Sequence, residues 1–150
     1  SSGTPFARLS RAAAVVEVAA NPSTLEMLVR GIWLAVFAGN ILDTQNARKK
    51  LEMATYQAMG WAASEELDYQ NGVLSPDAYE QYAPQLWSQY PPITLNFVGD
   101  LEKLPALGLE ELPFNTVPAA YAAAVTQATG HYVDRIPATP SLLRSYLEEE

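Results

Sequence analysis

Residues 12–38 read AAAVVEVAANPSTLEMLVRGIWLAVFA, and this stretch decides the fold. In residues 13–20, Val16 and Val18 alternate with Glu17, which predicts a β-strand. The Asn-Pro-Ser-Thr sequence at 21–24 is typical of a turn. The segment 26–38 alternates imperfectly and becomes continuously apolar from residue 32. It therefore predicts a second strand, antiparallel to the first and buried at its far end.

Helices and shorter strands follow this hairpin along the chain. Asp43 or Thr44 can cap a helix that runs to about residue 67. The other predicted elements are a hairpin at 68–74 around an Asn-Gly turn, a strand at 93–98, an Ala-rich helix at 117–129 and a short helix at 141–147. This order predicts an α+β fold, namely a two-layer domain with a mostly antiparallel sheet and helices on one face.

Length and composition narrow the function classes. A chain of 150 residues with 49% hydrophobic and 17% charged residues fits one globular domain, residues 1–150. The net charge of -8 argues against a nucleic-acid partner, and no apolar run is long enough for a membrane span. The absence of cysteine excludes disulfides, thiolate zinc sites and iron–sulfur clusters within the chain. His131, the only histidine, follows a predicted helix end and favours a structural role.

An acidic pair precedes the Ala-rich helix. Residues 108–116 read GLEELPFNT, in which Thr116 can cap the helix while Pro118 suits its first turn. A carboxylate held next to a rigid element is how a catalytic base is usually presented. On spacing alone, Glu110 and Glu111 also fit a solvated loop pair.

Two further patterns leave alternatives open. The Arg-Lys-Lys run at 48–50 is expected in the first turn of its helix, where it fits an anion site for a cofactor phosphate or a solvated basic face. The aromatic residues of segment 75–90 fit a ligand pocket, a protein interface or ordinary packing on the sheet.

These motifs together resemble the C-terminal part of the molybdenum-cofactor-binding subunit of the xanthine dehydrogenase and aldehyde oxidase family. In that family a Gly-x-Gly-Glu-x-Pro loop carries the catalytic glutamate, an Ala-rich helix follows, and a Pro-x-Thr-Pro resembles residues 137–140 here. The upstream segment 35–98 is similar to the family's Gly-ended strand, Gln-x-Glu-Gly-Gly helix start and later Pro-Pro-Ile strand. The resemblance covers residues 15–147 through many weak positions.

The resemblance implies roles for particular residues. Glu111 takes the place of the catalytic glutamate. The family's Gln-x-Glu-Gly-Gly positions imply cofactor binding by Lys50, Glu52, Met53 and Ala54. Glu52 matches the pattern, and the other three residues depart from it. A fourth departure is Glu110, which stands where the family has its second glycine.

The implied protein is a molybdenum hydroxylase, a cytoplasmic oxidoreductase acting on an aldehyde or an N-heterocycle. The chain would be an excerpt or small subunit that binds molybdopterin only with the remaining molybdopterin-binding polypeptide. Iron–sulfur and possibly flavin subunits would be further partners. We expect no metal site and no activity in the isolated chain, and an apolar patch where the remaining polypeptide docks. The alternatives are a non-catalytic interaction domain that kept the fold but lost the cofactor site, and a free-standing small-ligand binder.

Overall fold

The computed structural model describes residues 9–75, 90–99 and 104–148. Along the chain the elements are, in order, β1 Arg11–Ala20, β2 Met27–Phe37, α1 Thr44–Ala63, β3 Asp68–Gln70, β4 Val73–Ser75, β5 Ile93–Phe97, α2 Leu112–Thr129 and α3 Pro140–Glu148. The predicted aromatic segment falls mostly on residues 76–89, which lie outside the described residues. The α+β class with a mostly antiparallel sheet is confirmed.

The main sheet has the order β1-β2-β5. β1 and β2 are antiparallel as predicted, with Val16 opposite Ile32. β5 pairs with β2 in parallel, with Leu34 opposite Leu95. A parallel neighbour requires a long crossover connection, and α1 with the small β3–β4 hairpin lies within that connection.

Only one face of the main sheet is buried. Alternate residues of β2 point into the core, and Ile32, Leu34 and Val36 are at most 1% exposed. The opposite, outer face carries Val15 and Trp33 directly across from each other, 62% and 41% exposed. The outer sheet face therefore exposes an apolar pair, Val15 and Trp33, next to the polar residues Thr94 and Asn96 of β5.

The two long helices close the core over the buried face. α2 packs on β1, and α1 packs on α2. The alanines along one face of α1, Ala54, Ala58 and Ala62, are buried in this core and do not form part of an exposed apolar patch. Small side chains let helix axes approach closely, so the helix–helix contact buries the alanine face.

Tyr121 of α2 is among the largest buried side chains, at 2% exposure. Burial raises the pKa of Tyr121 to about 12, because a phenolate is poorly solvated in the core.

The beginning of α2 differs from the prediction. The helix starts at Leu112 rather than at residue 117, and Glu111 rather than Thr116 is the N-cap residue. Pro113 fits the first turn, where a missing N–H costs nothing. The hydroxyl of Thr116 donates to the carbonyl of Leu112 at 2.8 Å, and Pro118 lies inside the helix rather than in its first turn.

α1 also differs in its bounds. Asp43 caps it, since its carboxylate accepts the N–H of Asn46 at 2.9 Å. The helix ends at Ala63, where the N–H groups of Ser64 and Glu65 both donate to the carbonyl of Gly60. Because α1 begins at residue 44, the basic run at 48–50 lies in the second turn, not in the first turn as predicted.

Arg48 has a structural contact. Its guanidinium donates to the carbonyl of Leu95 at 2.9 Å and lies 6.0 Å from the ring centre of Phe97. It therefore ties α1 to β5, although the residue is exposed.

The Asn-Gly hairpin is confirmed, with Asn71 and Gly72 both at positive φ. Gly130 ends α2 in the left-handed conformation, and His131 follows it as predicted.

In the part of the chain that the structure covers, every helix is too short or too polar to cross a bilayer.

Candidate functional site

Two neighbouring cavities meet at the start of α2. Their volumes are about 820 Å³ and about 320 Å³. Three charged residues line both cavities: Lys50 from α1, and Glu110 and Glu111 from the segment that leads into α2. We call the two cavities together the groove. It brings the predicted base together with three of the four predicted cofactor-binding residues.

One wall of the groove is a helix face. Lys50, Met53, Ala54 and Gln57 line the smaller cavity. They occur at i, i+3, i+4 and i+7, a spacing that places side chains on one side of an α-helix. We call this surface the helix wall.

Glu52 lies off the helix wall and lines neither cavity. Glu52 lies near Tyr56 instead. The pKa of Tyr56 is raised mainly by burial, and the nearby Glu52 and Tyr90 raise it further. The ring of Tyr56 stacks on that of Tyr90 at 4.0 Å. Cofactor binding by Glu52 stays a prediction.

The opposite wall is residues 104–111, which we call the loop wall. It is anchored to the end of β2. Gly39 forms a β-bridge with Ala106, and the N–H of Leu107 donates to the carbonyl of Ala38 at 2.9 Å. These backbone bonds fix the loop wall beside α1.

Gly39 is required at this anchor. Its φ is +64°, and a Cβ atom there would lie 2.1 Å from the carbonyl oxygen of Pro105. Gly108 differs, because a Cβ atom at that position would meet nothing within 4 Å. The close backbone approach that shapes the loop wall therefore occurs at Gly39. The sequence marked this glycine only as a strand end.

Glu111 is exposed at the N-cap of α2. Its side chain makes no capping hydrogen bond, although its carbonyl accepts the N–H of Asn115 at 3.3 Å. Within the described segments its carboxylate has no hydrogen bond or ion pair. The N-terminus of a helix favours an anion. The carboxylate of Glu111 is therefore placed at a rigid element and makes no contact with the described residues that would compete with a ligand.

Glu110 forms an ion pair with Lys50 across the groove. The two side chains are 61% and 52% exposed. Sequence reasoning singled out both residues as departures from the family pattern but did not pair them. Their opposite charges were the one available signal, since 60 residues separate them.

The charged lining of the groove is small. Besides Lys50, Glu110 and Glu111, Asp43 lines the larger cavity. Among the residues described, no group of three or more histidine, aspartate or glutamate side chains could hold a metal ion. In its described part, the groove therefore presents isolated charged and polar side chains on an apolar surface, and not a cluster of metal ligands.

Comparison with known proteins identifies the class. The molybdopterin cofactor-binding domain family matches residues 1–91. This chain belongs to that family, and the predicted resemblance to molybdenum hydroxylase-like oxidoreductases is confirmed. The matched residues include the helix wall and stop short of Glu111.

A curated relative extends the similarity over most of the chain. The β subunit of isoquinoline 1-oxidoreductase from Brevundimonas diminuta is 26% identical over 139 residues, which are 93% of this chain and 17% of the relative.

Solved structures share the fold. Quinoline 2-oxidoreductase from Pseudomonas putida 86 superposes with a TM-score of 0.78 at 20% identity, over 89% of this chain and 18% of that one. The aldehyde oxidoreductase from Desulfovibrio gigas gives 0.75 at 24% identity, over 89% and 15%. This chain thus spans less than a fifth of the length of these relatives.

Proposed function

We propose that this chain is the part of a molybdenum hydroxylase subunit that forms one wall of the molybdopterin site and supplies Glu111 as the general base. One observation carries the proposal. Glu111 shares the groove with Lys50, Met53 and Ala54, residues that the resemblance assigns to cofactor binding.

The lining of the smaller cavity fits such a cofactor. Met53, Ala54 and Phe114 offer apolar surface for a ring system, and the amide of Gln57 can both donate to and accept from ring heteroatoms. Lys50 lines the same cavity, and its ammonium group is paired there with Glu110. When bound, the cofactor supplies a metal centre that accepts the electrons of the oxidation.

The proposed task of Glu111 is proton transfer. A base must be ionised and within hydrogen-bond reach of the proton that it accepts. The carboxylate of Glu111 is exposed at the N-cap of α2, where a helix terminus favours negative charge. The remaining polypeptide would bring the reacting groups to the open side of the groove.

The outer sheet face supports the proposal that a larger polypeptide covers this chain. Val15 and Trp33 expose apolar surface there, and this chain spans less than a fifth of the length of the relatives. We propose the remaining molybdopterin-binding polypeptide as the direct partner. Electrons would then leave through iron–sulfur and flavin subunits, because this chain has no cysteine to ligate a cluster. We place the assembled enzyme in the cytoplasm.

Glu111→Gln in the complete enzyme tests the base. The substitution keeps size and hydrogen bonding but removes the proton acceptor, so we expect kcat to fall about a hundred- to ten-thousandfold. Molybdenum content, measured in parallel, should stay unchanged. Glu66→Gln is the matched control, because Glu66 is exposed and lines neither cavity. Near-normal turnover of the Glu111→Gln enzyme with molybdenum bound would refute the assignment.

A non-catalytic interaction domain is the second candidate. The observation that favours it is the Lys50–Glu110 ion pair, which crosses the groove where the resembled family has uncharged residues. The half-exposed side chain of Met53, in place of a family glycine, adds bulk at the helix wall. Metal analysis of the complete protein from a cofactor-competent host separates the two: molybdenum near one per chain supports the enzyme, and none supports the interaction domain.

A further inference from the structure

We propose that the Lys50–Glu110 ion pair keeps Glu111 available, because Glu110 holds an ammonium group that would otherwise pair with Glu111. The inference rests on the proposed function of Glu111 as the base. Glu110 and Lys50 then act as positioning residues, since neither is assigned a contact with the reacting atoms.

The geometry makes Lys50 a shared partner. Lys50, Glu110 and Glu111 line both cavities. Glu110 and Glu111 are consecutive, so their Cα atoms are about 3.8 Å apart. A lysine side chain is long and flexible enough to follow either carboxylate. In the structure it pairs with Glu110, and the carboxylate of Glu111 stays open.

The other charged groups around Glu111 are few. Asp43 faces it across the larger cavity from the start of α1, where its carboxylate is engaged as the helix cap. Lys50 faces it from α1, and Glu110 lies beside it. Within the described ranges, α2 contributes no further charged side chain to either cavity. Among the described residues, Lys50 is thus the one cation that lines the groove, and the carboxylate with which it pairs determines the charge next to Glu111.

The two single substitutions should change the ionisation of the Glu111 carboxyl group in opposite directions. In Glu110→Gln the ammonium group turns to Glu111, and an adjacent cation favours the ionised carboxylate while weakening it as a base. In Lys50→Gln, Glu110 becomes an unpaired like charge beside Glu111 and disfavours ionisation. The double substitution removes both charges and should restore the original balance.

The pH profile of kcat/KM in the complete enzyme measures these directions. We expect the acid limb to move by about 0.3–0.7 pH unit to lower pH in Glu110→Gln and to higher pH in Lys50→Gln, with little net shift in the double variant. Lys49→Gln is the control, because Lys49 is exposed and lines neither cavity. Shifts in the same direction for both single variants would overturn the proposal.

Amine labelling of the same proteins gives a readout independent of catalysis. With Lys49 as internal reference, Lys50 should react about two- to fivefold more slowly in Glu110→Gln than in the Glu110→Gln/Glu111→Gln variant, because only the former keeps a carboxylate partner. Equal labelling in the two variants would show that Glu111 does not take over Lys50, and would overturn the proposal.

The two readouts separate the hypotheses. If Glu111→Gln retains turnover while the labelling difference is present, the base assignment fails and the exchange of Lys50 between the two carboxylates stands. If Glu111→Gln is inactive and the labelling difference is absent, the base assignment stands and the exchange fails.

Discussion

The two walls of the groove are built by different means. The helix wall takes its shape from the period of a single α-helix, with Lys50, Met53, Ala54 and Gln57 on one side. The loop wall takes its shape from contacts between distant segments, through the bridge of Gly39 to Ala106 and the pairing of Lys50 with Glu110. Local periodicity therefore fixes one wall, and tertiary contacts fix the other.

This difference separates what the sequence could predict from what it could not. Strands β1 and β2 and helix α1 were predicted close to their observed bounds, because apolar periodicity over ten or more residues is a strong signal. Met53 and Ala54 also border the groove, which the family resemblance rather than the periodicity had indicated.

The wrong predictions fall at positions where two local interactions compete. Thr116 had the chemistry of a helix cap, but Pro113 allowed the helix to begin earlier, and the Thr116 hydroxyl bonded back to Leu112. The ion pair of Lys50 with Glu110 joins residues 60 positions apart. A contact between residues so far apart leaves no local pattern in the sequence, so it was not predicted although both residues had been singled out.

The first prediction breaks the anchor of the loop wall. Gly39→Ala places a methyl group against the Pro105 carbonyl in a left-handed backbone, so we expect a loss of about 2–4 kcal/mol in the free energy of unfolding. Gly130→Ala is the matched control: its φ is +81°, but a Cβ atom there meets nothing within 4 Å. It should lose only about 1 kcal/mol from backbone strain. Denaturant unfolding of the 150-residue chain measures both, and equal losses would contradict the steric role of Gly39.

The second prediction concerns Tyr121, which lies on α2 and is buried in the core rather than in either wall of the groove. Tyrosine is charged only when deprotonated, and its raised pKa of about 12 means that the unfolded chain releases the proton first. Stability should therefore be unaffected by this group below about pH 10 and fall by about 2–3 kcal/mol as the pH rises to about 12.

Urea unfolding at pH 8 and pH 11 measures this slope, and Tyr121→Phe should reduce it. An unchanged alkaline slope in Tyr121→Phe would show that other groups cause it.

The smallest expected effect concerns the contact that joins the two walls. A double-mutant cycle on Lys50→Gln and Glu110→Gln should give a coupling of about 0.2–1 kcal/mol in the free energy of unfolding, since both side chains are largely exposed. The coupling should decrease in high salt. A coupling above about 2 kcal/mol would mean that the pair supports the fold as well as the charge of the groove.

The parallel pairing of β5 with β2 has a consequence for where this fold can be divided. The family match ends at residue 91, just before β5 begins at Ile93. A fragment cut there would lose the neighbour strand of β2 and also α2, the helix that packs on β1. The buried face of the sheet, including Ile32 and Leu34, would then be opened to water. The smallest segment that a recombination event could move as a working unit must therefore continue through α2, well past the end of the family match.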